Sequence, residues 1–467
     1  MLVQQIYTGC LSEAAYFVES KGEAIVIDPL RDIETYIQLA KENNATIKYI
    51  FETHFHADFI SGHLDLTKKT GAPIVYGPNT EAGFSFHLAK NGEIFKIGEI
   101  TLEVIHTPGH TLESTCYLLR DENGKPNCIF TGDTLFIGDV GRPDLSSGNI
   151  SKEELAGNLY ESIQNKLMPL PDDIIVYPAH GPGSSCGKNI GPETQSTIGN
   201  ERKTNYAMKP QTKEDFIKSV TEGLEEAPTY FALNAKINKE GYHILEDIID
   251  KGLTPLSIEE FKNKIEEGYV ILDTRKEEDF ANGFIPGAVF IGLEGRFAEW
   301  AGNLLSFEEP IILVTPFGKE EETIIRLARV GFDKVSGYLN GGFNAWQNSG
   351  EKTDLIINID VDELAMDIPF DDNLLVVDVR KPNEFSEGHV KNAMNLPLAE
   401  MTDIAQIASL EEDQNIYIHC EGGYRSTIAN SLLKRQGYHN VRNVPGGWTK
   451  IKEEKKIPTE KEASLLN

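Results

Sequence analysis

The sequence predicts an α/β protein of about three domains, and three observations lead to that prediction. A chain of 467 residues corresponds to roughly three domains of ordinary size. Short apolar runs alternate with longer polar, helix-prone segments, which is typical of strands that alternate with helices. The second half of the chain also repeats itself, because Asp273 and Arg275 return 105 positions later as Asp378 and Arg380 (378 minus 273 is 105).

The repeat predicts two tandem domains of one fold, because a period near 100 residues is too long for a solenoid unit. Each copy opens with a helix after a capping residue, Ser257 in the first copy and Asp362 in the second, followed by a buried strand near 270–272 and 374–377. We expect a first domain over 1–252 and repeat domains over 253–352 and 353–467. The same offset relates Phe280 to Phe385, Gly283 to Gly388, Ala288 to Ala393 and Gly341-Gly342 to Gly446-Gly447.

The first domain carries histidines and aspartates where predicted strands end. A strand over 47–52 precedes His54-Phe55-His56-Ala57-Asp58, a strand over 127–130 precedes Asp133, and a strand over 173–176 precedes His180. Ligands at strand ends can converge on one point. Together with His110 they provide enough imidazole and carboxylate groups to hold a transition metal.

These residues resemble the metallo-β-lactamase superfamily, whose signature is H-x-H-x-D-H followed by a Gly-His, a Gly-Asp and a late His. The resemblance covers roughly the first 200 residues and implies an αββα sandwich. One position departs from the signature, since Phe59 follows Asp58 where the family has His. In the two-metal members that His helps to hold the second ion, so the second site here lacks a ligand.

The remaining first site, made of His54, His110 and Asp133, offers two imidazoles and one carboxylate, an arrangement typical of non-haem Fe(II) oxygenases. The resemblance here narrows to the persulfide dioxygenases. It implies one Fe(2+) per chain on these three residues, with a low-molecular-weight thiol persulfide and O2 as substrates and sulfite as product. His56, Asp58 and His180 then either orient ligands and water by hydrogen bonds or are remnants of a lost metal site.

Both copies of the repeat resemble rhodanese domains, through the D-x-R after a strand, the E-F-x-x-G-H-V-x-x-A-x-N-x-P stretch from Glu384 to Pro397, and a late Gly-Gly-Trp or its equivalent. In the second copy we predict Cys420 as the sulfur-carrying nucleophile and Arg425 as its catalytic partner. Four residues separate the two, one fewer than in the similar phosphatase loop, which favours sulfur transfer over a phosphatase or a plain buried thiol. Backbone N–H groups and the helix amino end are expected to cradle the sulfur and favour thiolate. This sulfur-cradling loop comprises Glu421, Gly422, Gly423, Tyr424 and Ser426.

In the first copy the 105-residue offset places Thr315 opposite Cys420 and Glu320 opposite Arg425. A threonine cannot form a persulfide, and a glutamate repels the anions that an arginine attracts. We therefore expect the first copy to be inactive.

Two further residues are candidates for substrate binding. Arg142 follows Asp133 closely and is either a partner for a carboxylate or phosphate of the thiol cofactor or one half of a salt bridge near Asp144. Cys186, in a glycine-rich loop after His180, is either a group that handles substrate sulfur or a plain loop thiol.

Composition narrows the functional classes. A net charge of -29 and a pI near 4.8 argue against nucleic acid or an anionic membrane as partner. The amino-terminal residues lack a basic stretch followed by an apolar core, and no apolar run approaches the roughly 20 residues that span a bilayer. Five cysteines without regular spacing fit a reducing compartment, so a cytoplasmic protein is expected. The sequence allows a homo-oligomer without specifying one.

The sequence thus predicts a persulfide dioxygenase joined to an inactive and an active rhodanese domain, suited to sulfide detoxification, in which sulfite and sulfane sulfur are combined into thiosulfate. The alternative is a zinc thioester hydrolase of the glyoxalase II kind with an attached sulfurtransferase module. A third hypothesis is a sulfur-binding carrier or sensor without turnover.

Overall fold

The structure is a computed structural model that describes residues 1–145, 150–411 and 413–461. The chain divides into two compact units. The first comprises Met1–Asp247 and Leu327–Asp333, and the second comprises Ile248–Arg326 and Lys334–Asn467. The second unit contains both copies of the repeat, except for Leu327–Asp333 of the first copy, which belongs to the first unit. The domain boundaries at 252/253 and 352/353 stay predictions.

The first unit is built around two six-stranded mixed sheets. One sheet contains, in spatial order, β1 (Leu2–Thr8), β2 (Glu13–Ser20), β3 (Glu23–Ile27), β4 (Thr46–Phe51), β5 (Ile74–Tyr76) and β6 (His87–Leu88). The other contains β7 (Ile94–Ile97), β8 (Ile100–His106), β9 (Thr115–Arg120), β10 (Pro126–Gly132), β11 (Ile175–Pro178) and β12 (Ser196–Thr197), in the same sequential order. The helices are α1 (Glu34–Glu42), α2 (His63–Thr70), α3 (Lys152–Ser162), α4 (Ile198–Thr204), α5 (Lys213–Thr221) and α6 (Phe231–Glu240), with a π-helical turn at Ile163–Leu167 and a 3-10 turn at Tyr206–Met208.

Three apolar clusters give this unit its layers. Side chains from both sheets meet in a central cluster that includes Phe51 and Phe130. A second cluster packs the outer face of the β7–β12 sheet against α3 and α5 through Leu159 and Phe216, and a third packs the outer face of the β1–β6 sheet against α1 and α2. Helix, sheet, sheet and helix layers follow one another, so the predicted αββα sandwich is confirmed.

The second unit begins within α7 (Leu245–Gly252) and contains two five-stranded parallel sheets. The first copy has β13 (Pro255–Leu256), β14 (Val270–Asp273), β15 (Val289–Phe290), β16 (Ile311–Val314) and β17 (Val335–Leu339), in the spatial order β13-β17-β16-β14-β15. Its helices are α8 (Ile258–Glu266), α9 (Glu277–Asn282), α10 (Phe297–Leu304), α11 (Glu320–Ala328) and α12 (Gly342–Asn348).

The second copy has the same sheet order. Its sheet comprises β18 (Ile357–Asn358), β19 (Leu374–Asp378), β21 (Met394–Asn395), β22 (Asn415–His419) and β23 (Val441–Asn443), ordered β18-β23-β22-β19-β21, while β20 (His389–Val390) pairs with β24 (Thr459–Glu460). Its helices are α13 (Val361–Asp367), α14 (Pro382–Ser386), α15 (Ile404–Ile407), α16 (Tyr424–Arg435) and α17 (Gly447–Ile451), with a 3-10 turn at Leu398–Glu400. Matching topologies in the two copies confirm the tandem duplication read from the 105-residue offset.

The repeated D-x-R motif has the same structural role in both copies. Arg380 donates hydrogen bonds to Asp378 and to the carbonyl of Gly388, and its guanidinium lies 4.7 Å from the centre of the Trp448 ring. The first copy repeats this set, since Arg275 donates to Asp273 and Gly283, and lies 4.2 Å from the Phe343 ring centre. The motif therefore fixes the fold behind the loop rather than presenting a free charge.

One capping prediction is confirmed and one is wrong. Ser257 caps α8 in a capping box with Glu260. In the second copy the residue before the helix is Asp360, with extended backbone angles, and Asp362 lies inside the first turn of α13. The first residues of these two helices, Ile258 and Val361, lie 103 positions apart (361 minus 258) instead of 105. The motifs that define the 105-residue offset do not indicate this difference.

Candidate metal centre and cysteine loop

The loops after four strands of the first unit bring the predicted metal-binding residues together. His54 and His56 follow β4, His110 follows β8, Asp133 follows β10 and His180 follows β11. All five side chains are buried. His54, His110 and Asp133 each offer one ligand atom, and these three atoms lie within 4.8 Å of one another.

Asp133 lies at the centre of this group. Its Oδ2 atom is 3.3 Å from Nε2 of His110 and 3.7 Å from Nε2 of His54. Among the residues that the structure describes, no N–H or O–H group donates a hydrogen bond to either carboxylate oxygen of Asp133. A buried carboxylate without donors is costly unless a cation compensates it. The donor set therefore fits a metal ion.

Neighbouring groups turn both imidazoles toward that centre. The carbonyl of Arg142 lies 2.8 Å from Nδ1 of His110, and the hydroxyl of Thr53 lies 3.0 Å from Nδ1 of His54, so Nε2 of each ring is left for a metal. Thr53 in turn donates to Asp28. Burial, and then the imidazoles of His56, His110 and His180, hold the pKa of His54 well below its usual range. His54 is therefore neutral and able to coordinate.

His56 is drawn away from this group. Its Nε2 atom lies 3.2 Å from Asp28 and 3.7 Å from Glu52, and Phe59, which is fully buried, packs on its ring at 4.3 Å between centroids. Although burial lowers it, the nearby carboxylate of Asp28 raises the pKa of His56 above its usual value. His56 is thus held as the cationic partner of a carboxylate.

A second group of three potential ligands lies beside the first. His56, Asp58 and His180 also have ligand atoms within 4.8 Å of one another. His180 connects the two groups, because its Nε2 is 3.5 Å from Asp133 and its Nδ1 is 3.6 Å from Asp58. Phe59 places a hydrocarbon ring where the superfamily signature has another imidazole.

Cys186 lies beside the predicted metal-binding residues, and Arg142 contacts the backbone of the loop that carries it. Asp133, His180 and Cys186 have ligand atoms within 4.8 Å of one another. Burial, followed by the carboxylates of Asp58 and Asp133, raises the pKa of Cys186 well above its usual value, so its sulfur is a neutral thiol. The Arg142 guanidinium donates to Asp144 at 2.7 and 2.8 Å, and its backbone N–H donates to the carbonyl of Cys186. This favours the salt-bridge alternative for Arg142.

The cysteine loop lies between β22 and α16 of the second copy. Cys420 follows the strand, and the backbone N–H of Gly423 donates to its Sγ at 3.1 Å. Gly447 closes the loop from behind, because a Cβ there would lie 2.2 Å from the carbonyl oxygen of Cys420. Strand end, helix start and the late glycine pair thus set the position of the sulfur.

The other residues of the predicted loop hold its shape. Glu421 lies 3.3 Å from Arg380, and the Ser426 hydroxyl donates to the carbonyl of Gly423. The carbonyl of Gly422 accepts a hydrogen bond from Gly446, while the Tyr424 hydroxyl donates to Gly292 of the first copy. The sequence predicts that several backbone N–H groups of this loop surround the sulfur. Among the described residues, one of them, the N–H of Gly423, donates a hydrogen bond to Sγ of Cys420.

Arg425 is held by the carboxylate of Glu384, which the sequence motifs did not mark as a site residue. Its guanidinium makes two hydrogen bonds to Glu384, at 2.6 and 2.8 Å. Burial raises the pKa of Glu384, but Arg425 outweighs it and holds that pKa below its usual value, so Glu384 is ionised. The 105-residue offset carried a signal, since it pairs Glu384 with another acid, Asp279. No comparable signal marked Asp28 and Glu52 beside His56.

In the first copy a carboxylate occupies the corresponding loop. Oε1 of Glu320 accepts hydrogen bonds from the Thr315 hydroxyl and from the backbone N–H of Gly318, both at 3.3 Å. The loop's own side chain takes the place that an anion or thiolate would fill. The expectation that this copy is inactive remains a prediction, and the arrangement favours it.

Comparisons with known proteins agree with this architecture. The family model of the Metallo-beta-lactamase superfamily matches residues 8–180, and that of the Rhodanese-like domain matches residues 257–349 and 360–454. Among the described residues, no helix is both long and apolar enough to cross a bilayer.

Individual relatives extend the comparison. The crystal structure of a metallo-beta-lactamase from Staphylococcus aureus subsp. aureus COL is 32% identical to this chain with a TM-score of 0.63, and the match covers 73% of this chain and 99% of that chain. The crystal structure of ETHE1 from Myxococcus xanthus is 28% identical over 51% of this chain and 98% of that chain, with a TM-score of 0.44. The probable hydroxyacylglutathione hydrolase glo2 of Schizosaccharomyces pombe is 35% identical to this chain over the matched region. The match covers 33% of this chain and 57% of that relative's length. The chain belongs to the metallo-beta-lactamase superfamily, and it carries two rhodanese-like domains after the superfamily domain.

Proposed function

We propose that the first domain is a persulfide dioxygenase with one Fe(II) ion per chain on His54, His110 and Asp133. The observation that carries this proposal is the position of Phe59, which packs on His56 and supplies no ligand, while His56 itself pairs with Asp28. A site of two imidazoles and one carboxylate with open positions suits a non-haem iron oxygenase better than a dinuclear hydrolase.

The proposed reaction balances as RSSH + O2 + H2O giving RSH + SO3²⁻ + 2H⁺, so the terminal sulfur is oxidised and O2 is reduced. Iron(II) at this site would supply the redox step that lets O2 react with a closed-shell substrate. His54 stays neutral, and the carbonyl of Arg142 fixes the ring of His110. His180 lies between Asp133 and Asp58, and we propose that His180 and Asp58 orient water beside the Oδ1 atom of Asp133.

Cys186 is the proposed contact for the substrate's sulfur chain. Its thiol lies beside Asp133 and His180, and a neutral thiol is a weak donor that does not repel an anionic persulfide. The Arg142 backbone and guanidinium hold the loop that carries it. Arg142 therefore positions Cys186 in this proposal, rather than binding a cofactor phosphate.

The second rhodanese-like domain would transfer sulfur through Cys420. The Cys420 thiolate attacks the outer sulfur of RSSH, forming Cys420–S–S⁻ and releasing RSH, and sulfite then takes that sulfur to give thiosulfate and the free thiolate. The Gly423 N–H would stabilise both sulfur anions, and Arg425, fixed by Glu384, would attract sulfite. All five cysteines are free in the structure, which suits the reducing cytoplasm proposed as its location.

The alternative, a zinc thioester hydrolase, draws support from the hydroxyacylglutathione hydrolase relative. Elemental analysis of the purified protein with an oxygen-electrode trace separates the two. Iron, and O2 uptake on adding glutathione persulfide, would support the dioxygenase. Zinc, and thioester cleavage in anaerobic buffer, would replace it with the hydrolase.

Cys420→Ser tests how the two activities are divided. We expect O2 uptake to continue while sulfite accumulates in place of thiosulfate. Stable sulfur loading of Cys420 without release of sulfite or thiosulfate in the unmodified protein would point instead to a carrier or sensor. Loss of O2 uptake together with sulfur transfer in the variant would contradict the proposed division of labour.

A further inference from the structure

The side chain of Tyr424 leaves the cysteine loop and enters the first rhodanese-like copy. Its hydroxyl donates to the carbonyl oxygen of Gly292 at 2.7 Å, and its ring lies 6.0 Å from the ring of Phe290 in an edge-to-face arrangement. Tyr424 is also the first residue of α16 and directly follows Gly423, the donor to the Cys420 sulfur. One residue thus joins the loop to the copy that lacks a thiol.

Two glycines of the first copy form the slot for this ring. A Cβ on Gly295 would lie 2.7 Å from Cζ of Tyr424, and a Cβ on Gly292 would lie 3.3 Å from its Cε2. Neither glycine has a left-handed φ, so backbone conformation does not require glycine at these positions. At Gly295 a side chain is excluded because the ring of Tyr424 occupies the space, whereas at Gly292 a Cβ would also lie 3.0 Å from the Arg275 carbonyl oxygen and 3.0 Å from the Phe290 ring.

A second contact fixes the same helix. The Ser431 hydroxyl, on α16, accepts a hydrogen bond from the backbone N–H of Phe290 at 3.0 Å. The ring and hydroxyl of Tyr424 therefore hold the start of α16 against the first copy, and the hydroxyl of Ser431 holds the middle of the helix. Because backbone segments held at two points resist small shifts, the Gly423 N–H keeps its aim at the sulfur.

We infer that Tyr424 is a positioning residue for sulfur transfer, and that the first rhodanese-like copy acts as the support that aligns the Cys420 loop. This inference rests on the sulfur transfer proposed above. The Tyr424 side chain touches no reacting atom. It acts by holding the first turn of α16, and hence the N–H of Gly423, against the sulfur.

The test changes the slot from both sides in the full-length protein. Tyr424→Phe removes the hydroxyl, and Gly295→Ala pushes the ring from a residue more than a hundred positions away in the sequence. The matched control is Tyr438→Phe, since the Tyr438 hydroxyl donates to the carbonyls of Ile407 and Leu410 within the second copy. Readouts are kcat and KM for sulfur transfer to sulfite, the pH profile of Cys420 alkylation, and O2 uptake.

We expect both slot variants to lower kcat by about three- to tenfold, the effect of one misaligned hydrogen bond, with KM little changed. The alkylation profile should move to higher pH, whereas O2 uptake and the control variant should match the unmodified protein. In a Tyr424→Leu background, Gly295→Ala should add no further loss, because the clashing ring is gone. This double variant separates a local effect from misfolding.

Unchanged kcat and an unchanged alkylation profile in both slot variants would overturn the inference. If the unmodified protein transfers no sulfur, the proposed function fails instead, and the alkylation profile still tests the support role. Equal loss of O2 uptake in the slot variants would indicate general misfolding and would also count against a positioning role.

Discussion

Gly141 provides the sharpest test of the metal centre, because two of the three proposed ligands pack against it. A Cβ at this position would lie 2.2 Å from the carbonyl oxygen of Asp133 and 2.9 Å from Nδ1 of His110. Ordinary contacts begin near 3.4 Å, so Gly141→Ala must displace the Asp133 backbone by 1.2 Å (3.4 minus 2.2) or move its own segment by as much. Metal–ligand distances tolerate only about 0.2 Å.

We expect Gly141→Ala to weaken metal binding by about 10- to 100-fold, the range seen when groups behind metal ligands are disturbed. The assay is chelator competition followed by elemental analysis, with circular dichroism to confirm folding. Gly9→Ala is the matched control, since a Cβ there meets nothing within 4 Å. A folded Gly141→Ala protein that holds metal as tightly as the control would refute the reasoning, and with it the assignment of Asp133 and His110 as ligands.

Three further predictions concern other parts of the first unit. Phe59→His should raise the metal content, measured by elemental analysis, from about one to about two ions per chain. It should also lower the unfolding free energy, measured by urea titration, by about 1–3 kcal/mol. An unchanged metal content would mean that the missing imidazole does not limit the second site. Burial raises the pKa of Asp65 to about 6, above its unfolded value, so its stabilising contribution is complete below about pH 4 and is lost as pH rises through 6. Asp65→Asn should therefore gain up to about 3 kcal/mol relative to the unmodified protein between about pH 4 and pH 8, whereas parallel stability curves would exclude this. Burial raises the pKa of Cys116 to about 11 and of Cys128 to about 12, so neither should react with iodoacetamide at neutral pH until the protein unfolds; mass spectrometry that finds either one labelled in the folded protein would contradict their burial.

The fold could be predicted because its signals lie in local patterns and spacings. Asp133 and His180 converge because the neighbouring parallel strands β10 and β11 end at the same edge of one sheet. His54 joins them from the end of β4, a strand of the other sheet. The 105-residue offset gave the duplication, because equivalent positions in two copies of one fold carry the same packing demands.

What could not be predicted depends on side-chain direction and on partners distant in sequence. Nothing in the motif indicates that His56 turns toward Asp28, because that choice follows from a carboxylate 28 positions away (56 minus 28) and the ring of Phe59. Tyr424 belonged to the predicted loop by position, yet its ring leaves the sulfur and enters the other copy. The cap at Asp360 was missed because a two-residue slip between copies leaves no trace in the motifs on either side.

The Tyr424 slot also bears on how this chain can be engineered. A stand-alone version of the last domain, cut near residue 353, would leave the ring of Tyr424 and the Ser431 hydroxyl bare to water. The excised domain would expose an aromatic ring that otherwise packs against the first copy, which favours aggregation. It would also lose the contact that holds the loop around Cys420. The two rhodanese-like copies should therefore be transferred together, as one fragment, when the region is moved into another protein.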